Sequence, residues 1–236
     1  MKKTIVALLD EAQKKMGGYV ALLNYRYMNL CIKAVPEALL AIMVKTEEGD
    51  EPIENVAKAR NAQGRDDQFE ILPTSPDLLL PIVKGIKTAH PEFDLDIRKV
   101  NPDSDDKDQQ QYIVATMPTV DKNRHDILMQ AVATLSDACA GILDMTVADY
   151  AARIVVKLIG APAEEIDEAK DILQQIRDKH DEMCANYRAE KEQEIEDAYT
   201  RYQEAQNQQA SEQQEEEAAN NEQAGLQMKW KPEDDE

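Results

Sequence analysis

The chain has 236 residues, of which 31% are charged and only 5% aromatic, and its 47 acidic residues against 27 basic ones give a formal net charge of −20. That length buries a mainly aliphatic core in one large or two small domains. The acidity excludes unaided electrostatic attachment to DNA or to an anionic membrane.

The opening MKKTIVALLDE imitates a leader peptide, but the apolar run Ile5–Leu9 is too short and Asp10 and Glu11 close it. No run is expected to approach the ~18 apolar residues of a membrane span, so a cytoplasmic protein is expected. Ile5, Leu8, Ala12, Met16, Tyr19, Leu23, Tyr27 and Leu30 step by three and four, which predicts a helix over 3–33. Gly17-Gly18 inside it costs ~1 kcal/mol each relative to alanine. After Pro36 the pattern changes. Leu39–Lys45 is strand-like and EEGDEP (47–52) turns the chain; 68–71, 93–97 and 111–117 alternate as strands. Leu79–Thr88 reads as a short helix that tolerates Pro81 only in its first turn. Asn101–Gln111 (NPDSDDKDQQQ) is a polar loop. Residues 34–118 thus form an inserted α+β module.

Past Pro118 the helices resume. Asp121 is placed to N-cap a helix reaching about Leu158. Gly160-Ala-Pro162 breaks the chain, and a last helix carries the seam Ile166, Ala169, Leu173, Ile176, His180, Met183 and Tyr187. From 203 a Gln/Glu/Asn/Ala tract has no seam and is expected to be disordered. It carries ten acids against Lys229 and Lys231, and ends near the single tryptophan, Trp230, as a docking motif or a sticky tail end. The expected layout is a bundle of 1–33 and 119–202, an insert of 34–118, a tail of 203–236, and hinge points at Pro36 and Pro118.

No constellation predicts catalysis. His90, His125 and His180 are scattered, and Cys31, Cys139 and Cys184 show no CxxC pairing, so buried free thiols are expected. The acidic run 103–108 lacks the glycine and the glutamate of a calcium loop. No phosphate-binding glycine motif is present. The chain therefore reads as a non-enzyme without metal or cofactor. Its most unusual stretch is 138–160, ACAGILDMTVADYAARIVVKLIG, with only four charges: Asp144, Asp149, Arg153 and Lys157. As a helix it is apolar or small around most of its circumference.

Several segments resemble one family. AVPEALLAIMVKTEEGDEPIENVAKA (34–59) resembles the stretch A-S-P-S-L-L-x-x-I-x-V, a turn, then P-L-x-Q-L-A of bacterial ribosome recycling factors. DEAQKKM (10–16), the IVKGI segment at 82–86 and MPTVDKNRHDIL (117–128) follow in order, matching that family's first helix, its I-E-K-A-I helix and its L-P-P-L-T-E-E-R-R-x-x-L. The resemblance implies an L-shaped α+β protein, a three-helix bundle interrupted by a small β-rich domain on a two-strand hinge. It also implies partners: a large ribosomal subunit whose RNA the bundle contacts, and the translocase GTPase.

The departures fall on the RNA-facing positions. The T-G-R before the hinge is Cys31-Ile32-Lys33, and four arginine positions of the second bundle helix are Ala140, Asp144, Val147 and Ala148. Each lost phosphate contact removes counter-ion release and weakens RNA affinity. Lys33, Arg124, Arg153 and Lys157 remain as carried-over RNA contacts. Ala140, Leu143, Val147 and Ala148 share a face, expected to be covered by a protein partner, a second copy or the tail. Two readings follow: a divergent paralogue using that face for protein binding or self-association, or a working recycling factor.

Overall fold

The computed structural model describes residues 2–40, 42–100 and 110–228. Helix α1 (Lys3–Met28) runs unbroken through Gly17-Gly18, and Ile5, Leu8, Ala12, Met16, Val20, Leu23 and Tyr27 face inward from it. It ends five residues before the expected 33. Cys31 then takes a left-handed φ of 49°, a conformation rare for a side chain with a Cβ, and turns the chain out of the bundle.

Pro36–Leu39 is a single 3₁₀ turn, so the strand expected from Leu39 begins only at β1 (Met43–Thr46). The EEGDEP segment forms a hairpin, with β2 (Gly49–Pro52) antiparallel to β1 and Gly49 at φ 133°. A one-turn helix α2 (Ile53–Val56) leads into β3 (Ala57–Asn61). Next come β4 (Gln68–Pro73), α3 (Leu79–Ala89), β5 (Asp94–Lys99) and β6 (Gln111–Thr116). Pro81 sits in the first turn of α3, where its missing N–H is no loss. The sheet order is β3-β4-β6-β5, all antiparallel. Pairs Phe69–Ala115 and Ile71–Ile113 bury one face of the sheet with Ile82 and Ile86 of α3 and with Phe93.

Helix α4 (Lys122–Lys157) starts on Asp121, whose side chain accepts the Arg124 N–H at 2.8 Å. Leu158 closes it, and Gly160 turns the chain at φ 82° into α5 (Ala163–Met228). Glu164 and Glu165 in the first turn of α5 complement its positive end. Its seam departs from the expected one at one place. Cys184 is buried where Met183 was expected, because the step from His180 is four. The helix also continues through 203–228, which corrects the expectation of a disordered tail there. Gln, Glu and Ala are good helix formers, and the packed part of α5 already supplies the nucleus that isolated helices lack. Trp230, the rest of the tail to 236 and the acidic run 103–108 lie outside the described residues.

Two hydrophobic cores are distinct. One joins α1, α4 and α5 through Met16, Tyr27, Val132, Leu143, Ile154 and Leu173. The other lies inside the insert, around Leu39, Ile42, Phe69, Phe93 and Ile113. Where the chain passes between them, the Asp66-Asp67 turn binds both crossings: its carbonyls accept from Ala34 N–H at 2.7 Å and Met117 N–H at 2.9 Å. Arg201 of α5 pairs with Asp66 across the same place.

Candidate functional site

The carried-over cations do not assemble into one open basic surface. Lys33 is exposed at the first crossing. Arg124, at the start of α4, is half-buried and turns inward, donating from Nη2 to the Cys31 carbonyl at 3.4 Å. Its Nε is buried without a partner, and burial holds its pKa below the ordinary arginine value. Arg153 lies 29 residues further on, ~44 Å along the helix. It is held by Glu11 at 3.2 and 3.4 Å, lies 3.9 Å from Asp149, and covers the Tyr150 ring at 4.5 Å. Those Glu11 hydrogen bonds raise its pKa. Lys157 is exposed in the last turn of α4.

The other polar clusters are structural. His125 bridges Asp126 and Glu196 at 3.0 Å each and lies against Tyr199. His90 stacks on Phe93 and bonds Glu92, while His180 bonds the Ile176 carbonyl at 2.7 Å. Cys139 and Cys184 are buried with sulfurs 3.7 Å apart. Among the described residues, no three metal-ligating side chains come together.

The four-residue face expected on α4 is redistributed. Leu143 is fully buried in the bundle core, Val147 packs against that core, and Ala140 is half-buried. Only Ala148 is exposed, so the expectation that these residues form one open face is corrected. The reason is geometric. Cys139, Leu143, Thr146, Tyr150, Ile154 and Leu158 form the inward row, and the residues beside it inherit its burial.

A different row faces out. Ala138, Gly141, Met145, Ala148, Ala152, Val155 and Ile159 step by three and four, and all are exposed. Met145 is 66% exposed, Val156 beside the row 63%, and Ile159 79%. The row carries no charge. Asp144 and Asp149 border it, and Arg177 neutralises Asp144 at 2.9 Å. By length and composition α4 is apolar enough to cross a bilayer, which corrects the expectation that no run approaches a span. Here one side of it packs against α1 and α5, and the outward row supplies the rest of its apolarity. Met145, Ala152, Val155, Val156 and Ile159 were missed in the sequence, where both sides of the helix look alike. An inner row ending in Tyr150 and Ile154 was the signal available.

No family model matches the chain, and no curated protein matches it by sequence. Among solved structures, a solution structure of the ribosome recycling factor matches with a TM-score of 0.63 at 18% identity, covering 84% of this chain and all of that one. The fold is therefore that of ribosome recycling factor: α+β, two-domain, a three-helix bundle interrupted by a small β-rich domain. The likeness extends to the fold alone.

Proposed function

We propose that this is a ribosome-recycling-factor-like protein of the cytoplasm that performs no covalent chemistry and works by protein contact through the outer row of α4. One observation carries the reading. Where the family resemblance places arginines at 144 and 148, both exposed here, the chain has an acid already paired with Arg177 and an alanine in an uncharged apolar row. Apolar rows left open on soluble proteins mark contacts with other macromolecules. An RNA face needs the opposite chemistry, and Arg124 and Arg153 are already engaged within the chain. The bundle and insert are assigned as separate modules, divided near 34 and 118 with Pro36 and Pro118 at the crossings.

The fold supports a second reading, a working recycling factor acting with the translocase GTPase on the large ribosomal subunit. Co-sedimentation with large subunits over a salt series separates the two. The protein-contact reading expects no salt-sensitive association at near-physiological salt. Robust association that falls steeply as salt rises, the signature of phosphate contacts, overturns it.

A further inference from the structure

We infer that Cys139 of α4 and Cys184 of α5 are a redox couple that closes into a disulfide and staples the two longest helices of the bundle together. The inference is independent of what meets the outer row of α4. It concerns a modification of the chain itself, not catalysis.

The two sulfurs lie 3.7 Å apart, in van der Waals contact across the seam between α4 and α5. A disulfide needs ~2.05 Å, which leaves ~1.7 Å of approach. Each sulfur hangs on one rotatable Cα–Cβ bond, and no strong hydrogen bond holds the pair apart. Besides Cys184, the Cys139 thiol has the Tyr19 carbonyl at 3.8 Å, a weak contact for an S–H donor. Cys31 makes the comparison. It is buried just as deeply, but its sulfur faces the ring nitrogens of His90 at 3.9 and 4.0 Å. Of three buried thiols, the fold brings two together and sets one apart.

Burial governs the rate of closure, and proximity governs its equilibrium. At 6% and 4% exposure, with the thiolate disfavoured, neither sulfur is a nucleophile while the bundle is closed. Exchange therefore runs through transient opening of the helices. Oxidised glutathione is the oxidant. The first thiolate attacks its disulfide and expels one reduced glutathione; the second attacks the resulting mixed disulfide and expels another. Two protons and two electrons leave the chain and are carried off by the two glutathione thiols. When the bundle closes again, the new bond sits where the sulfurs were already in contact. Any preference of the fold for the linked pair returns to the bundle as stability. The bond spans 45 residues around the α4–α5 turn, for which chain entropy sets a ceiling of ~1000-fold. The bundle is thus a dithiol under reducing conditions and stapled under oxidising ones.

The experiment uses the full chain. It is refolded from urea into glutathione buffers of graded composition at about pH 8, approached from both reduced and linked protein. Alkylation and mass mapping without reduction then report the links, and a parallel series is kept in urea. The expected product is a Cys139–Cys184 link that leaves Cys31 out. Its midpoint in [GSH]²/[GSSG] should be at least ~10-fold higher in the folded series than in urea, with ~1000-fold as the ceiling. Native-state hydrogen exchange of the linked chain should slow by a matching factor in α1, α4 and α5, and stay unchanged in α3 and β1, which belong to the other core. A midpoint within ~10-fold of the urea value overturns the couple. So does a product linked mainly through Cys31, or a link that leaves exchange in the bundle unchanged.

Discussion

Gly85 offers the sharpest test of how α3 is seated in the insert. A Cβ at this position would lie 2.9 Å from the Met43 carbonyl oxygen, 3.3 Å from Ile42 Cγ2 and 3.4 Å from Val44 Cγ2. The nearest atom is backbone, fixed by the β1–β2 hairpin, so the contact cannot be relieved by swinging a side chain. Gly18 of α1 is a natural control, since a Cβ there would meet nothing within 4 Å. Replacing either glycine by alanine inside a helix gains ~1 kcal/mol from backbone entropy. At Gly18 that gain stands unopposed. At Gly85 a forced shift of the helix against β1 costs ~1–3 kcal/mol, the range for overpacking a filled core. Gly18→Ala should therefore stabilise the bundle, whereas Gly85→Ala should be neutral to destabilising by up to ~2 kcal/mol. Native-state hydrogen exchange reads each module separately, through α1 amides for one variant and α3 and β1 amides for the other. Slower exchange at α3 and β1 in Gly85→Ala, comparable with the gain at α1 in Gly18→Ala, would refute the close approach.

Leu143→Ala should cost the bundle ~2–5 kcal/mol in denaturant unfolding, whereas Met145→Ala two residues away should change monomer stability by less than ~0.5 kcal/mol; equal effects would mean the inner and outer rows are misassigned. His125 has its pKa raised by its hydrogen bonds to Asp126 and then Glu196. Its contribution to joining α4 and α5 should accordingly be full below the ordinary histidine range and fade as pH rises through the elevated value; an NMR titration midpoint at or below ~6.5 refutes this. Burial pushes the Cys31 and Cys184 thiols up to about 12 and raises that of Cys139. A disulfide reagent near neutral pH should label none of the three until the chain unfolds, and prompt labelling of the native protein contradicts that burial.

What the sequence made legible was periodicity. The rows of α1 and the first half of α5 step by three and four with charged residues between them, so their inner faces were readable residue by residue. Helix α4 was readable as a helix but not in rotation. Residues on both sides of it are apolar, so nothing in the sequence separates Leu143 from Ala148, although they point about 140° apart around the helix. Strand β3 was invisible because Ala57–Asn61 (AKARN) is an edge strand whose exposed Lys58 and Arg60 leave no apolar alternation. The helical run past 203 carries no seam to read, because a segment needs only helix propensity once the helix has begun. Cys31 carried no signal at all, since a left-handed backbone is not written in the identity of a cysteine.

The pair between Arg201 and Asp66 is, among the described residues, the one salt bridge joining α5 to the insert, and both partners are about half-exposed. Such a pair is worth ~0–1 kcal/mol, and less in salt. Beside it lies an open cleft of about 300 Å³ between Ile32, Pro118, Val120 and Tyr202 rather than a packed joint. Against thermal energy of about 0.6 kcal/mol, that pair by itself is a weak lock on the proposed hinge at Pro36 and Pro118. If the proposed hinge is real, a partner that grips both modules would set the angle between them at little cost in affinity from this pair.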